Sequence, residues 1–439
     1  MQELILNNRK IVNAWCMYDW ANSVYSLVIT AAIFPVYYQN VAIGPQGGDV
    51  ISFFGFEIVN SVLYSYALSF SFLIVALLLP LLSGIADYTG QKKNFMKAFV
   101  YIGAFSCMGL YFFTGQHIEL GIILSITASI GFSGSLVFYD AFLPVIVTED
   151  RFDKTSARGY SLGYIGSVLL MIACIFIIEA YELFGFADKG IATRFTFLLV
   201  GLWWLGFSQI SFYWLPDNVF KRHPEGNVIW KGHREILKVW NNLRMQAELK
   251  KYLLAFFFSN MGVQTVLYLA ATFGAKELAL PADKLIITIL LIQLVAAVGA
   301  VFFARLSGKK GNKFSLQLSM LIWVFICMAA YFVNSEYAFY TLAICVGVVM
   351  GGIQSLSRAT YAKLLPVSTV DHASYFSFYD VTYNLSIVFG TFSYGLIEQL
   401  SGSMRNSTLA LMSYFIIGLI FISLTSIKPV KEHSNNAGA

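Results

Sequence analysis

The sequence predicts an all-α integral membrane protein with twelve transmembrane helices in two pseudo-symmetric six-helix bundles. Three observations lead to this prediction: the composition, the number of long apolar spans and the polar interval that divides them. Of the 439 residues, 58% are hydrophobic and only 12% are charged, and the mean hydropathy is +0.68. Soluble domains carry about 25% charged residues. Lipid must therefore be the solvent for much of this chain's surface.

Twelve apolar spans of roughly 20 residues or more, the length that crosses a bilayer, follow one another along the chain. The six in the first half cover 11–38, 58–83, 94–114, 118–143, 158–182 and 194–215. The six in the second half cover 250–273, 285–305, 314–333, 337–364, 374–399 and 407–427. We therefore expect an N-terminal bundle over 1–215, a cytoplasmic linker loop over 216–249, a C-terminal bundle over 250–427 and a cytoplasmic tail over 428–439.

The polar interval between the two sets of spans contains "KRHPEGNVIWKGHREILKVWNNLRMQAELKK". Its second part predicts a short amphipathic helix on the membrane face. Its basic residues suit the anionic head groups of membrane lipids, and no nucleic-acid partner is expected.

The lysines and arginines indicate how the chain is oriented in the membrane. When successive loops are assigned to alternate sides, 24 of the 29 lie on the side that both termini and the linker share. The positive-inside rule then predicts that both termini are cytoplasmic, in a bacterial inner membrane. The five on the opposite side are Lys189, Arg194, Lys276, Lys284 and Arg405.

The two halves of the sequence resemble each other. "AWCMYDWANSV" in the first span aligns with "AFFFSNMGVQT" in the seventh, which pairs Asp19 with Asn260. "SGIADYTGQKK" after the second span aligns with "ARLSGKKGNK" after the eighth, which pairs Asp87 with Gly308. "YDAFLPV" likewise aligns with "YAKLLPV". Parallel repeats of this kind are typical of transporters that rock two halves around a central site.

The loop "SGIADYTGQKK" also resembles the conserved loop motif of the major facilitator superfamily, with Tyr88 in place of the usual arginine. The segments "YDWANSVYSLVITAAIFPVYY", "FYDAFLPVIV" and "GGIQSLSRATYAKLLP" are similar to the branch related to fungal autophagy-linked vacuolar amino-acid effluxers. The resemblance implies the major facilitator fold, secondary transport, and first and seventh helices that face a central cavity. Many members of this branch carry a lysine where this chain has Asn384. The residues that match the loop motif are Ala86, Asp87, Gly90, Lys92 and Lys93.

Asp87 stands at the cytoplasmic end of the second span, where it can approach the positive N-terminus of a helix from the other half, such as the one that starts near Ser374. Such a contact forms in only one rocking state and would bias the equilibrium between states. We therefore predict a gating role for Asp87, Gly90, Lys92 and Lys93. The alternative is a solvated loop charge.

Asp19 lies inside the first span, where an ionised side chain costs roughly 2.5 to 3.5 kcal/mol even on lenient insertion scales. Trp15, Asp19, Asn22 and Ser26 recur at helical spacing, as do Asn260, Gln264 and Tyr268 in the seventh span. These two polar stripes predict a solute-binding cavity, with Asp19 as the candidate proton carrier. The alternative is a buried network between helices that binds no ligand.

Three further charges, Asp140, Arg358 and Asp380, lie in the cytoplasmic half of their spans by a count of about 1.5 Å per residue. One cation among several carboxylates predicts an ion-paired inner gate that includes Asp140 and Arg358. Arg358 can equally bind a substrate carboxylate through its planar fork. The candidate binding residues are Tyr18, Asp19, Asn22, Tyr139, Asn260, Gln264, Gln354, Arg358, Tyr361, Tyr379 and Asp380.

The sequence contains no pattern that indicates catalysis. "GPQGGDV" lacks the lysine-serine ending of a nucleotide-binding loop, and the five histidines and five cysteines are too scattered for a metal site. We expect no enzyme activity, no cofactor and no metal, and a monomer that binds a small-molecule substrate, lipids and protons. The leading hypothesis is a secondary transporter of a small polar solute, such as an amino acid. The alternatives are export of sugars, peptides or drugs and, less favoured, a membrane-embedded enzyme or a sensor.

Overall fold

The computed structural model describes residues 5–44, 48–222, 224, 226–366, 368–401 and 404–427. Over these residues the chain is built almost entirely from helices, with one small antiparallel hairpin. The predicted tail over 428–439 lies outside the described residues.

Among its described residues, the first half contains eight α-helices and the two strands of the hairpin. It begins with α1 (Arg9–Val24), a π-helical run (Tyr25–Ala32), α2 (Ile33–Val41), β1 (Val50–Phe53) and β2 (Phe56–Val59). It continues with α3 (Asn60–Thr89), α4 (Lys92–Gly109), α5 (Ile118–Asp140), the short α6 (Leu143–Ile146), α7 (Phe152–Glu179) and α8 (Lys189–Trp214).

The described part of the linker contains one helix, α9 (Val228–Met245), in the place where the sequence predicts an amphipathic helix. The second half is formed by α10 (Ala247–Leu278), α11 (Ala282–Lys310), α12 (Asn312–Phe332), α13 (Glu336–Leu364), α14 (His372–Ser401) and α15 (Met404–Leu424).

Twelve long helices therefore occupy the twelve predicted spans, if the first span is counted as one broken helix. Ten of them, among the described residues, are long and apolar enough to cross a membrane. The helix α10 bends by 64° between Ala247–Tyr268 and Thr272–Leu278. If its two parts are counted as one span, α10 is the eleventh candidate membrane helix. The remaining long helix, α14, is more polar because it carries Asp380, Asn384 and many hydroxyl groups.

Side chains and glycine mark several helix ends. Asn8 accepts a bond from the backbone N–H of Lys10 at 3.0 Å, and Asp188 accepts one from Ile191 at 2.8 Å. Each of these caps satisfies a first-turn N–H that has no partner inside its helix. At the other end, α3 stops at Gly90, whose φ of 71° is a left-handed conformation that glycine adopts without strain.

Three features of the first half differ from the prediction. The first span is not one continuous helix, because it passes through the π-helical run before α2 starts. Pro35 lies in the first turn of α2, where it offers no N–H and crowds the preceding carbonyls. The predicted external loop also contains the hairpin of β1 and β2, joined through Val50 and Val59 at its open end. The fourth span ends at Asp140 rather than near 143, since α6 starts after a turn.

The two halves meet through a small set of helices. The helix α3 packs against α14, and α7 packs against α11 and α13. The linker helix α9 packs along α3, where the backbone carbonyl of Gly232 lies so close to Gly84 that a Cβ on Gly84 would stand 2.3 Å from it. We call the side of the protein that carries α9 the linker side.

Candidate functional site

A buried guanidinium joins the two halves of the protein. Arg358 on α13 donates from Nη2 to Oδ2 of Asp19 at 3.1 Å and from Nη1 to Oδ1 of Asp140 at 3.1 Å. Its Nε donates to the hydroxyl of Ser156 at 2.9 Å, and Nη2 also donates to the Ser156 carbonyl at 3.1 Å. The Arg358 side chain is only 2% exposed, so water does not compete for these charge-assisted bonds. We call Asp19, Asp140 and Arg358 the charge cluster.

Aromatic rings enclose the charge cluster. The guanidinium carbon of Arg358 lies 4.7 Å from the ring centre of Trp15 and 4.3 Å from that of Tyr160. Tyr139 stacks on Trp15 with ring centres 4.5 Å apart and donates its hydroxyl to Asp19 Oδ2 at 2.7 Å. Flat guanidinium faces bind well to aromatic faces. The rings therefore hold Arg358 in the orientation in which it bridges the two carboxylates.

The charge cluster needs a glycine on α7. A Cβ built on Gly159 would stand 2.2 Å from Asp19 Oδ2 and 3.2 Å from Arg358 Nη2. The first of these distances is shorter than real Cβ contacts. Gly159 is thus the position at which α7 lets the ion pair between α1 and α13 lie directly against its backbone.

A cavity of about 170 Å³ lies between the halves, and the charge cluster forms its floor towards the linker side. Its walls reach Ala31 and Tyr268 in the direction of the opposite side. Polar residues from α7 also line it, among them Tyr160, Tyr164 and Ser167. The sequence analysis missed these α7 residues, although their spacing of three or four residues places them on one helical face.

Seven of the eleven candidate binding residues line the cavity, namely Asp19, Asn22, Gln264, Gln354, Arg358, Tyr379 and Asp380. The other four do not line it. Tyr18 and Tyr139 lie behind Asp19, with ring centres 4.7 Å apart. Tyr361 donates its hydroxyl to the Tyr375 carbonyl at 2.6 Å, and Asn260 lines a smaller neighbouring cavity and donates to Ser386 at 2.5 Å. A helical stripe identifies an inward face, but part of that face is covered by neighbouring helices.

Asp87 contacts the first turn of α14, in the other half of the protein. Its carboxylate accepts bonds from the backbone N–H groups of Ala373 at 3.3 Å and Ser374 at 2.7 Å. These N–H groups have no partner inside their own helix, and the helix dipole favours a negative charge there. Lys92 Nζ lies 2.9 Å from Asp87 Oδ1 and balances its charge.

The other predicted gate residues bind the start of the linker. Lys93 Nζ lies 2.8 Å from Asp217 Oδ1 and donates to the Leu215 carbonyl at 2.9 Å. A Cβ on Gly90 would stand 2.2 Å from the side-chain oxygen of Asn218. The loop after α3 therefore connects Asp87 to the linker as well as to α14.

A second contact between the halves, which the sequence analysis missed, centres on Asp153 in the first turn of α7. Its carboxylate accepts from Lys363 Nζ at 2.8 Å, from Asn312 Nδ2 at 2.8 Å and from the Ser307 hydroxyl at 2.8 Å. All three partners belong to the second half. The only signal in the sequence is that charged residues stand at the ends of the fifth and tenth spans.

A third contact joins the linker to α14 through Asp371, which precedes this helix. The Asp371 carboxylate accepts from Arg222 at 3.1 Å and from Lys238 at 2.9 Å. Lys238 also donates to Glu235 at 2.9 Å, and partial burial raises the pKa of the Glu235 carboxyl above its usual range. The linker is thus bound to the same end of α14 that Asp87 contacts.

Comparison with known proteins now identifies the class. The solved structure of the proton:xylose symporter XylE, a major facilitator protein, superposes with a TM-score of 0.73 at 15% sequence identity, covering 94% of this chain and 94% of that chain. The protein of Bacillus subtilis (strain 168) described as "Uncharacterized MFS-type transporter YxiO" is 32% identical over 419 residues, which cover 94% of each chain. The helical halves and the cavity between them are accordingly those of a membrane transporter of the major facilitator superfamily.

The family within this superfamily follows from two further matches. Residues 7–434 match the family described as "Vacuole effluxer Atg22 like". Autophagy-related protein 22 of Coccidioides immitis (strain RS) is 25% identical over 442 residues, which cover 81% of this chain and 71% of that protein. The chain belongs to the Atg22-like family. The predicted resemblance and the predicted all-α membrane fold are both confirmed.

Proposed function

We propose that the protein is a secondary active transporter that moves a small polar solute, such as an amino acid, by alternating access. We place it in a bacterial inner membrane with both termini in the cytoplasm, because most of its lysines and arginines lie on the linker side. The description of its family as effluxers supports a solute-moving role. The cavity volume of about 170 Å³ favours a small solute.

The observation that carries this proposal is the charge cluster at the floor of the cavity. Arg358 belongs to the second half, while Asp19 and Asp140 belong to the first, and the bonds between them hold the halves together on the linker side. The contact of Asp87 with the first turn of α14 and the ion pair between Asp153 and Lys363 close the same side. If the halves rock, these contacts must separate before the solute can leave towards the linker side.

Protons provide a simple way to release this closure. The attraction between Arg358 and Asp19 requires an ionised carboxylate, and a proton on Asp19 removes that charge. Removal of the charge weakens the bridge between α1 and α13 and favours separation of the halves on the linker side. Transport would then be driven by the proton gradient, with Asp19 and Asp140 as the carriers.

The test uses the purified protein in proteoliposomes with an imposed pH gradient and a panel of labelled amino acids, sugars and dipeptides. We expect uptake of at least one solute that depends on the gradient. Asp19→Asn should abolish gradient-driven uptake of that solute and retain its exchange across the membrane. Asp49→Asn, which changes an exposed carboxylate on the opposite side, is the matched control and should behave as the wild type.

Two results would argue against the proposal. Absence of both uptake and exchange for every solute in the panel would contradict a transporter of small polar solutes. Full gradient-driven uptake by Asp19→Asn would contradict proton coupling through Asp19.

A further inference from the structure

The guanidinium of Arg358 has almost no hydrogen-bond donors left for a solute. Four of the bonds that its five N–H groups can donate go to Asp19, Asp140 and Ser156. The rings of Trp15 and Tyr160 lie 4.7 and 4.3 Å from its central carbon. In this conformation Arg358 is bound to the protein's own carboxylates, so it is not free to bind the carboxylate of a solute.

A third carboxylate lines the same cavity without a cation of its own. Asp380 on α14 is 5% exposed, and its Oδ2 has no hydrogen-bond partner within the described part of the chain. A buried carboxylate without a partner is costly, because it loses its hydration and gains nothing in return. Apart from Arg358, the residues that line the cavity in the described ranges include no lysine, arginine or histidine. The cavity lining therefore contains three carboxylates and one guanidinium, and that guanidinium is bound to Asp19 and Asp140.

The groups around Asp380 suit a cation. Tyr379 and Tyr383, its neighbours on α14, both line the cavity, and aromatic rings attract ammonium groups through their faces. Asn22, on the wall that α1 forms, has an Nδ2 without a partner among the described residues. This amide is neutral and lies one turn from the Asp19 carboxylate. It therefore suits a hydroxyl or carbonyl oxygen of the solute better than a carboxylate.

We propose that the transported solute carries a net positive charge, and that Asp380 binds its protonated amino group. This inference rests on the proposed transport function and narrows its substrate class from polar solutes in general to organic cations such as diamines and dibasic amino acids. An anionic solute would meet uncompensated negative charge and no free cation. The ammonium group of a zwitterion would be attracted by Asp380, but its carboxylate would find no free cation among the described lining residues.

The test is a thermal-unfolding screen of the purified full-length protein with four probes at equal concentration: putrescine, lysine, leucine and glutamate. A ligand that binds the folded state raises the melting temperature. We expect putrescine or lysine to give a clear shift, leucine a smaller one and glutamate none. Asp380→Asn should weaken the apparent affinity for the cation at least tenfold, while the exposed control Asp49→Asn keeps it.

A second variant tests the charge without removing Asp380. In Asn384→Lys the new ammonium group stands one helical turn from Asp380, at a spacing where opposite charges pair. It should occupy the carboxylate and abolish the cation-induced shift. This variant keeps the proposal testable if Asp380→Asn fails to fold.

The outcomes separate the two proposals. A shift with leucine or glutamate that equals or exceeds the cation shift would overturn the inference, and so would a cation shift that survives both variants. Gradient-driven uptake of a sugar without any response to amines would overturn it too, yet would leave the transport function standing. Cation binding that is lost in both variants supports the inference.

Discussion

Gly159→Ala changes the charge cluster without altering any charged group. The new Cβ would stand 2.2 Å from Asp19 Oδ2, whereas ordinary van der Waals contact begins at 3.4 Å, so the carboxylate must move by about 1.2 Å (3.4 minus 2.2). That movement lengthens the bond to Arg358, now 3.1 Å, and the bond to the Tyr139 hydroxyl, now 2.7 Å. The substitution therefore tests how tightly the two halves are held together by this ion pair.

The magnitude follows from the geometry. Breaking one side of a buried ion pair costs about 3 to 5 kcal/mol. The better helix propensity of alanine acts in the open and the closed conformation alike, so it cancels between them. The cost falls on the conformation closed on the linker side, in which the pair exists. Since about 1.4 kcal/mol is tenfold, the closed population should fall relative to the open one by up to roughly 100- to 4,000-fold if the displacement breaks the pair completely.

The assay is the accessibility of a single cysteine at Ala373, which is buried against the Asp87 contact on the linker side. The native cysteines are removed first. Gly159→Ala should increase labelling at this position from the linker side. The matched control is Gly206→Ala on α8, where a Cβ would meet no atom within 4 Å. Equal labelling and equal melting temperatures in the two variants would refute the reasoning, since Asp19 would then relax without cost.

Three further predictions concern the gate and the topology. Asp87→Asn should also increase labelling from the linker side, because a neutral amide binds the N–H of Ser374 and the helix dipole less well. Unchanged labelling would show that Asp87 has no gating role. Asp153→Asn should lower the melting temperature, since it leaves the ammonium of Lys363 without its carboxylate, and an unchanged melting temperature would show that this contact is not needed in the folded state. A reporter fused at Gly226 should report the cytoplasm, whereas an external signal would reverse the proposed orientation.

The contrast between Asp87 and Asp153 illustrates the limit of sequence reasoning about this site. Asp87 was predicted from a loop motif whose spacing is local, and the structure places it against α14. Asp153 stands in no comparable motif, and its partners Lys363 and Asn312 are distant in sequence. The repeat pairs Asp87 with Gly308, so a carboxylate is absent from the second loop and present instead on the helix that faces it. A motif search in one loop does not detect a carboxylate that stands on the helix the loop contacts.

The sequence by itself predicted a membrane environment for the chain, twelve long apolar spans and their division into two halves. These depend on composition and on hydrophobic runs, which are local properties. It also identified Asp19, Asp140 and Arg358 as charges that lipid alone would not tolerate. Only the tertiary structure decided that the three meet in one cluster and that Asp380 stays outside it. Hydrogen bonds of about 3 Å depend on how the helices pack. A glycine such as Gly159 lets two helices approach each other closely, and hydrophobic periodicity does not predict which glycine does so.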